Sequence, residues 1–472
     1  MRYKILIIFM FFSASMWAVD YNITDFGAIA DGQSVNTMSV QSAIDRCSVT
    51  GGRVLIPRGE FVVGTLNLKD NVCLYLEEGA VLKGSKKLSD YPYKTTSIRF
   101  FGEDWAHYVL IHADHVKNVS IEGHGTIDGQ GASFPLFSRK KPGKYKNRPF
   151  LLWFVGCQNV SVKDVKLRNS GFWMQYYLCC RKVKIDGIDV FNHANKNNDM
   201  IDIDGCKDVV ISRLTGDSDD DGITLKSTNN MINENITISD CIISSHCNAL
   251  KLGTESVGGY RNVTISNIII RPSSMKSVMS GSPEGISGVA LEVADGGIME
   301  NVSINNVVID SVEVPLFVRL CNRARKSIPE APTPSIGKIR NITLSNITGR
   351  STSPIGCSIT GIPGGMPDGI SLSNCRFYCI GGEKGDFSKK SVPEQEILYP
   401  ESTIFGTLPA YGLYIRHARN VWLDGVSFVL ENEDSRAAVV LDDVTTVAES
   451  EVVTWGSKGG GRINVINKLY PL

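Results

Sequence analysis

The apolar pattern of this chain is built on a short unit, polar–Val/Ile–x–Val/Ile, that returns along most of its length. It stands at Asn118-Val119-Ser120-Ile121, Asn159-Val160-Ser161-Val162, Lys182-Val183-Lys184-Ile185 and Asp208-Val209-Val210-Ile211. It returns at Asn235-Ile236-Thr237-Ile238, Asn262-Val263-Thr264-Ile265, Asn301-Val302-Ser303-Ile304, Asn341-Ile342-Thr343-Leu344 and Asn420-Val421-Trp422-Leu423. From Val160 through Val183, Val209 and Ile236 to Val263 the steps are 23, 26, 27 and 27 residues. Apolar and polar positions that alternate are the mark of a strand with one buried face. Such a unit holds a few short strands and their turns but is too short for a helical crossover. The pattern therefore predicts an all-β chain, a right-handed parallel β-helix in which each strand pairs with its copy one coil away. The hairpin turns of a β-sandwich would not keep so regular a period.

Longer steps, Val263 to Val302 and Val302 to Ile342, predict loops at residues 273–287 and 322–337, where a rigid wall would carry a cleft. Ahead of the repeat, residues 21–28 read as a strand entering a glycine turn. Asn36 then caps a helix over residues 37–47, with Val40, Ala43, Ile44 and Cys47 on its apolar face. One amphipathic helix before a β-rich chain suits a lid over an open apolar end. Gly51-Gly52 ends it, and strands follow at 53–56, 59–63, 72–76 and 80–82. The expected division is 19–107 for the cap and first strands, 108–445 for the β-helix, and 446–472 for a tail over the far end.

Composition changes this picture at two points. Arg2 and Lys4 precede an apolar run from Ile5 to Phe12, followed by small residues up to Ala18. Residues 1–18 thus read as a signal peptide, too short to anchor in a bilayer, and predict a periplasmic or extracellular protein with no membrane insertion after cleavage. Lys+Arg and Asp+Glu are both 49, so nothing favours nucleic acid or an anionic membrane surface. Of 12 cysteines, Cys157, Cys180 and Cys206 each stand three residues before a repeating Val and read as an unpaired column. Cys357, Cys375 and Cys379 are the expected place for a disulfide.

Candidate chemistry gathers in Asn197-Asn198-Asp199-Met200-Ile201-Asp202-Ile203 and Asp219-Asp220-Asp221-Gly222-Ile223-Thr224-Leu225. Aligning Ile201 with Ile223 sets Asp199 level with Asp221, on parallel strands roughly 4.8 Å apart. Asp220 stands beside them, and like charges so close should retain a proton near neutral pH. Asn248 falls level with the two acids in the next coil. Asp202, Thr224, Lys226 and Lys251 alternate outward on the same wall, a strip suited to an elongated polar substrate. Trp173 is a candidate for stacking on a sugar ring, as is Trp105, whereas Trp153 reads as core and His193 as structural.

Asn197-Asn198-Asp199, Asp220-Asp221-Gly222-Ile223 and Asn248-Ala249-Leu250-Lys251-Leu252-Gly253-Thr254 resemble glycoside hydrolase family 28, the polygalacturonase and rhamnogalacturonan hydrolase group. Thr24-Asp25-Phe26-Gly27-Ala28 and Leu76-Glu77-Glu78-Gly79-Ala80 are similar to that family's start. The resemblance implies hydrolysis of pectic polysaccharide with inversion, Asp220 as general acid, and Asp199 and Asp221 as the pair that activates water. No cofactor or metal is expected, and the chain is expected to act as a monomer.

Departures from the family pattern bear on the substrate. Asn198 replaces a Thr, and Asp219 stands where Gly or Gln is common. The Gly-His-Gly motif aligns with Cys247-Asn248-Ala249, leaving His246 two residues off register. The Arg-Ile-Lys motif that holds a galacturonate carboxylate aligns with Ala290-Leu291-Glu292. Lys226, Lys251, Arg319 and Arg323 are the expected replacement cations, which favours an exo-acting or branch-specific enzyme. Two other readings share the scaffold: a β-helix polysaccharide lyase using calcium and a basic residue, and a non-catalytic carbohydrate-binding solenoid.

Overall fold

The computed structural model describes residues 19–102, 105–136, 147–387, 390–456 and 463–467. The expected signal segment, 1–18, lies outside the described residues.

Each Val of the repeat is hydrogen-bonded in parallel register to the next. The row runs Val119, Val160, Val183, Val209, Ile236, Val263, Val302, Ile342, Ile370, Val421 and Val447. A second row runs Tyr177, Ile203, Leu225, Leu252, Leu291, Val318, Ile359, Ile415 and Leu441. A third passes through Ile127, Leu167, Val190, Gly216, Ile243, Ile270 and Ile309. The chain is thus a parallel β-helix. Apolar members of the rows face inward, and their side chains fill one continuous core along the axis.

The polar residue that opens each repeat is explained by its backbone. Asn118, Asn159, Asn235, Asn262, Asn301 and Asn341 lie at φ 56°, 59°, 59°, 56°, 55° and 55°, the left-handed turn conformation that Asn tolerates better than other side chains. Their carboxamides then form a ladder between coils: Asn159 Nδ2 donates to Asn118 Oδ1 (2.9 Å), Asn262 to Asn235 (3.1 Å) and Asn301 to Asn262 (3.1 Å).

The helix spans Thr37–Thr50, buries Val40, Ala43, Ile44 and Cys47, and ends at Gly51. Asn36 occupies its N-cap position, yet its side chain bonds the Ile29 backbone and Ser34 O rather than the helix. The expected strand over 21–28 is shorter: Asp20–Asn22 is extended, and Asn22 Oδ1 then caps a 3-10 turn over Ile23–Phe26. Parallel pairing begins at Asp20, opposite Arg53, and reaches Asn467, opposite Asp442, on both sides of the 108–445 span.

All 12 cysteines are free. Cys157, Cys180 and Cys206 form the expected column, with Cys180 N donating to Cys206 Sγ (3.2 Å). The bridge expected among Cys357, Cys375 and Cys379 is not formed. Cys375 Sγ bonds Leu344 O (3.6 Å), Cys379 Sγ bonds Phe377 O (3.7 Å), and burial pushes the Cys357 and Cys375 thiols up to about 12 and about 11. The two expected loops are present, between Gly259–Ile270 and Ser287–Val293 and between Val314–Leu320 and Lys338–Ser351. A further long connection, not foreseen, joins Arg376–Gly381 to Ala410–Asp424. No helix among the described residues is long and apolar enough to cross a membrane.

Candidate active site

Register assembles the site. Ile201 pairs with Ile223 and Ile223 with Leu250, so Asp199, Asp221 and Asn248 stand level in successive coils. Gly222 allows this approach: a Cβ there would lie 2.3 Å from Ala249 O, while its N–H donates to Asn248 O (2.8 Å). Asp221 Oδ1 accepts from Asn248 Nδ2 (2.8 Å) and Asn248 N (3.2 Å), and Oδ2 accepts from Lys251 Nζ (3.0 Å). Asp220 Oδ2 accepts only a long bond from Asn197 Nδ2 (3.4 Å), and Asn197 is itself held by Arg148 (3.2 Å). Lys226 Nζ sits between Asp199 (3.2 Å) and Asp202 (3.1 Å), with the Trp173 ring 4.1 Å from it.

This wiring drives two adjacent carboxyls apart. Burial and the charge of Asp221 push Asp220 above the usual carboxylate range. Burial also acts on Asp221, but Lys251, Lys226 and the Asn248 bond outweigh it and hold that carboxyl below its usual value. Burial and Asp202 push Asp199 up, and burial lifts Asp202 to about 7 against the pull of the Lys226 ammonium that both acids contact. A carboxyl pushed up beside one held down is the arrangement that suits paired proton donation and acceptance.

The acids open into a cleft of about 270 Å³. Phe100, Phe101 and Trp105 line it from the segment before the repeat, and Arg325 and Tyr399 from two of the long connections. The Arg325 guanidinium lies over the Phe101 ring at 3.7 Å, and Asn229 Nδ2 donates to Arg99 O (2.9 Å). The groove is therefore bridged across its rim.

Of the expected site residues, Asp199, Asp202, Asp220, Asp221, Asn197, Asn248, Lys226, Lys251 and Trp173 come together here. Lys226 and Lys251 are buried and already paired with the acids, rather than solvent-facing and open to substrate; Lys251 also meets Tyr399 Oη (3.0 Å) and Glu401 (3.8 Å). Burial opposes their charge, but the surrounding carboxylates raise both well above the ordinary lysine value. His246 is buried behind the cleft against Asp219 (3.0 Å) and does not face it. Arg319 is buried and donates to Gly361 O (2.8 Å) and Glu394 O (2.5 Å), so it is structural. Arg323 is held by Asp295 (2.6 Å). Glu292 is buried without a hydrogen-bond partner among the described residues, and burial lifts it to about 8.

Arg325, Tyr399, Glu401, Phe101 and Glu255 were not anticipated. The first four lie on connections with no period. Glu255 shares the outward phase of Lys251 and could have been found from alternation. Against the effect of burial, Lys226, Arg323 and Arg325 hold Glu255 down at about 2.

A family model described as Glycosyl hydrolases family 28 matches residues 47–395. A probable polygalacturonase from Vitis vinifera is 28% identical over 271 residues, 52% of this chain; the match spans 54% of that protein, about half its length. An exopolygalacturonase from Cochliobolus carbonum is 23% identical over 73% of this chain and 81% of its own. Among solved structures, the family 28 exopolygalacturonase of Yersinia enterocolitica shares the fold, with a TM-score of 0.71, 20% identity, and coverage of 91% of this chain and 78% of that one.

Proposed function

The chain belongs to glycosyl hydrolase family 28, and from that premise we propose that it hydrolyses pectic galacturonan from a chain end, with inversion at the anomeric carbon. Asp220 gives its proton to the glycosidic oxygen as the bond to the anomeric carbon breaks. Asp221, with Asp199 beside it, takes a proton from the water that attacks the opposite face. What carries this reading is the arrangement of two adjacent carboxyls at the cleft. Asp221 is bonded to Lys251 and Asn248 and so held below its usual value, while Asp220 has no bonded cation among the described residues and is pushed above it.

The Phe101–Arg325 contact supports action at a chain end, because a bridged rim admits a terminus more readily than the middle of a polymer. Arg325 borders the cleft and is the cation best placed for a uronate carboxylate: it pairs with Glu255 (3.0 Å) but stays half-exposed, whereas Lys226 and Lys251 are buried against the acids. The similarity to a probable polygalacturonase and to an exopolygalacturonase points the same way. A lyase mechanism needs a neutral base, and both buried lysines are held as ammonium ions by their carboxylates. The Arg2 to Ala18 pattern supports export before action on the polymer.

The test is digestion of reduced-end-labelled oligogalacturonates, with the first-formed anomer followed by proton NMR. We expect mono- or disaccharide from the first time point, saturated and of inverted configuration. Long oligomers at early times, retention, or an unsaturated product would each overturn the corresponding part of the reading.

A further inference from the structure

Beneath the cleft lies a cluster that the glycosidase reading does not use. Asn192, Ser218 and Ser245 are paired in register, so the residues that follow them, His193, Asp219 and His246, stack as a column from three successive coils. All three are buried, and each offers a ligand atom within 4.8 Å of the other two.

Hydrogen bonding fixes the tautomer of both rings. His246 Nε2 lies 3.2 Å from Met275 O, a carbonyl that can only accept. His193 Nε2 lies 2.8 Å from Asp217 Oδ1, and Asp217 already accepts from Ser273 Oγ (2.7 Å), Ser274 N (2.9 Å) and Ser274 Oγ (2.7 Å). Each Nε2 therefore carries a proton, which turns Nδ1 of each ring towards Asp219. His246 Nδ1 is 3.0 Å from Asp219 Oδ1 and His193 Nδ1 is 3.9 Å from it. His193 Nδ1 and Asp219 Oδ2 have no hydrogen-bond partner among the described residues. If the rings are neutral, two imidazole lone pairs face a buried carboxylate, and positive charge must lie between them.

The geometry points to a divalent transition-metal ion of the zinc class, held by His193 Nδ1, His246 Nδ1 and the Asp219 carboxylate. A second proton on His246 alone would be bonded, its Nδ1–H 3.0 Å from Asp219 Oδ1, but it would leave His193 Nδ1 and Asp219 Oδ2 without a partner in the interior, and at 3.9 Å a His193 Nδ1–H could not reach Asp219 either. A metal about 2.0–2.1 Å from each ligand accepts ligand atoms roughly 3–4 Å apart. Two imidazoles and a carboxylate are a donor set that suits zinc. The Nε2–H bonds to a carboxylate and a carbonyl are the outer contacts that orient ligating imidazoles. Two carboxylates, Asp217 and Asp219, balance a doubly charged ion. Because Asp219 precedes Asp220, the ion would hold the backbone beneath the proposed acid without touching substrate. It is a departure from the sequence expectation of no metal, and it does not depend on the glycosidase reading.

The test takes the full chain, treats it with chelator, and titrates it with zinc by calorimetry and elemental analysis. We expect one zinc per chain, a rise in Tm of several degrees on zinc addition, and loss of both in His193→Ala and His246→Gln. Sub-stoichiometric zinc with an unchanged Tm in the wild-type chain would overturn the site in favour of an imidazolium at His246 bonded to Asp219. Equal zinc binding by the variants would also overturn it, by placing the ion elsewhere. If the variants do not fold, cobalt replaces zinc in the wild-type chain. Visible bands of nitrogen- and oxygen-ligated cobalt support the site, and their absence overturns it.

Discussion

Asp220 and Asp221 are neighbours in sequence, yet Asp221 is tied to Asn248 and Lys251 while Asp220 accepts from the Asp221 backbone N–H (3.0 Å) and, over a long bond, from Asn197 (3.4 Å), with no cation bonded to it among the described residues. Removing the proton donor with Asp220→Asn should lower kcat by roughly 10²–10⁴-fold with little change in KM, measured on a short oligogalacturonate. The rate should be bell-shaped in pH, its acid limb set by Asp221 below the usual carboxylate range and its alkaline limb by Asp220 above it. Lys251 lowers both carboxyls, so Lys251→Met should move both limbs of the kcat/KM profile to higher pH. Glu292 gives a prediction on stability. Its pKa in the fold, about 8, lies above its unfolded value, so the folded state is favoured at low pH and loses ground as pH rises, levelling off above about 8. Glu292→Gln should therefore leave stability unchanged near pH 4 and raise it progressively up to about pH 8, by on the order of a few kcal/mol, with a Tm difference from wild type that grows over the same range and then levels off in thermal melts.

Strands and turns account for what could be read from the residues and what could not. Asp199, Asp221 and Asn248 were legible because their level is set by the pairing of Ile201, Ile223 and Leu250, and a slip by one residue would turn every apolar side chain outward. The helical face Val40, Ala43, Ile44 and Cys47 was legible for the same kind of reason, a fixed period facing a core. Cys357, Cys375 and Cys379 misled because closeness in sequence says nothing about where thiols point inside a coil; here they meet carbonyls instead of one another. Arg325 and Tyr399 were beyond reach, since irregular connections carry no period that would place them. The Asn ladder is the clearest case of a repeat whose polar member has its own physical cause. Asn262, exposed at φ 56°, bonds both Asn235 and Asn301. Asn262→Ala should cost about 1–2 kcal/mol through the left-handed backbone alone. Asn262→Gly, which keeps the conformation while losing the ladder bonds, should lower Tm less than the alanine.

At the scale of the molecule, the coil supplies the catalytic floor and the connections decide what can reach it. The floor is rigid because each acid lies in or beside a strand paired on both sides. The walls come from places far apart in the chain: Phe100 and Phe101 before the repeat, Arg325 and Tyr399 after the acids. If the Arg325–Phe101 contact is what confines the cleft to a chain end, then severing it should change the mode of attack without touching the chemistry. Phe101→Ala removes the Arg325–Phe101 contact while keeping the Arg325 cation and the Asn229–Arg99 bond, so it should release longer oligomers from polygalacturonate at early times while kcat on a dimer stays within a few-fold of the wild type. Arg325→Ala removes bridge and cation together, so it should show the same shift in product length with a raised KM for uronate-bearing substrates. Chromatography of early products from both variants separates the two roles. An unchanged short-product profile in Phe101→Ala would mean that the rim contact does not govern entry and that some other wall of the cleft does.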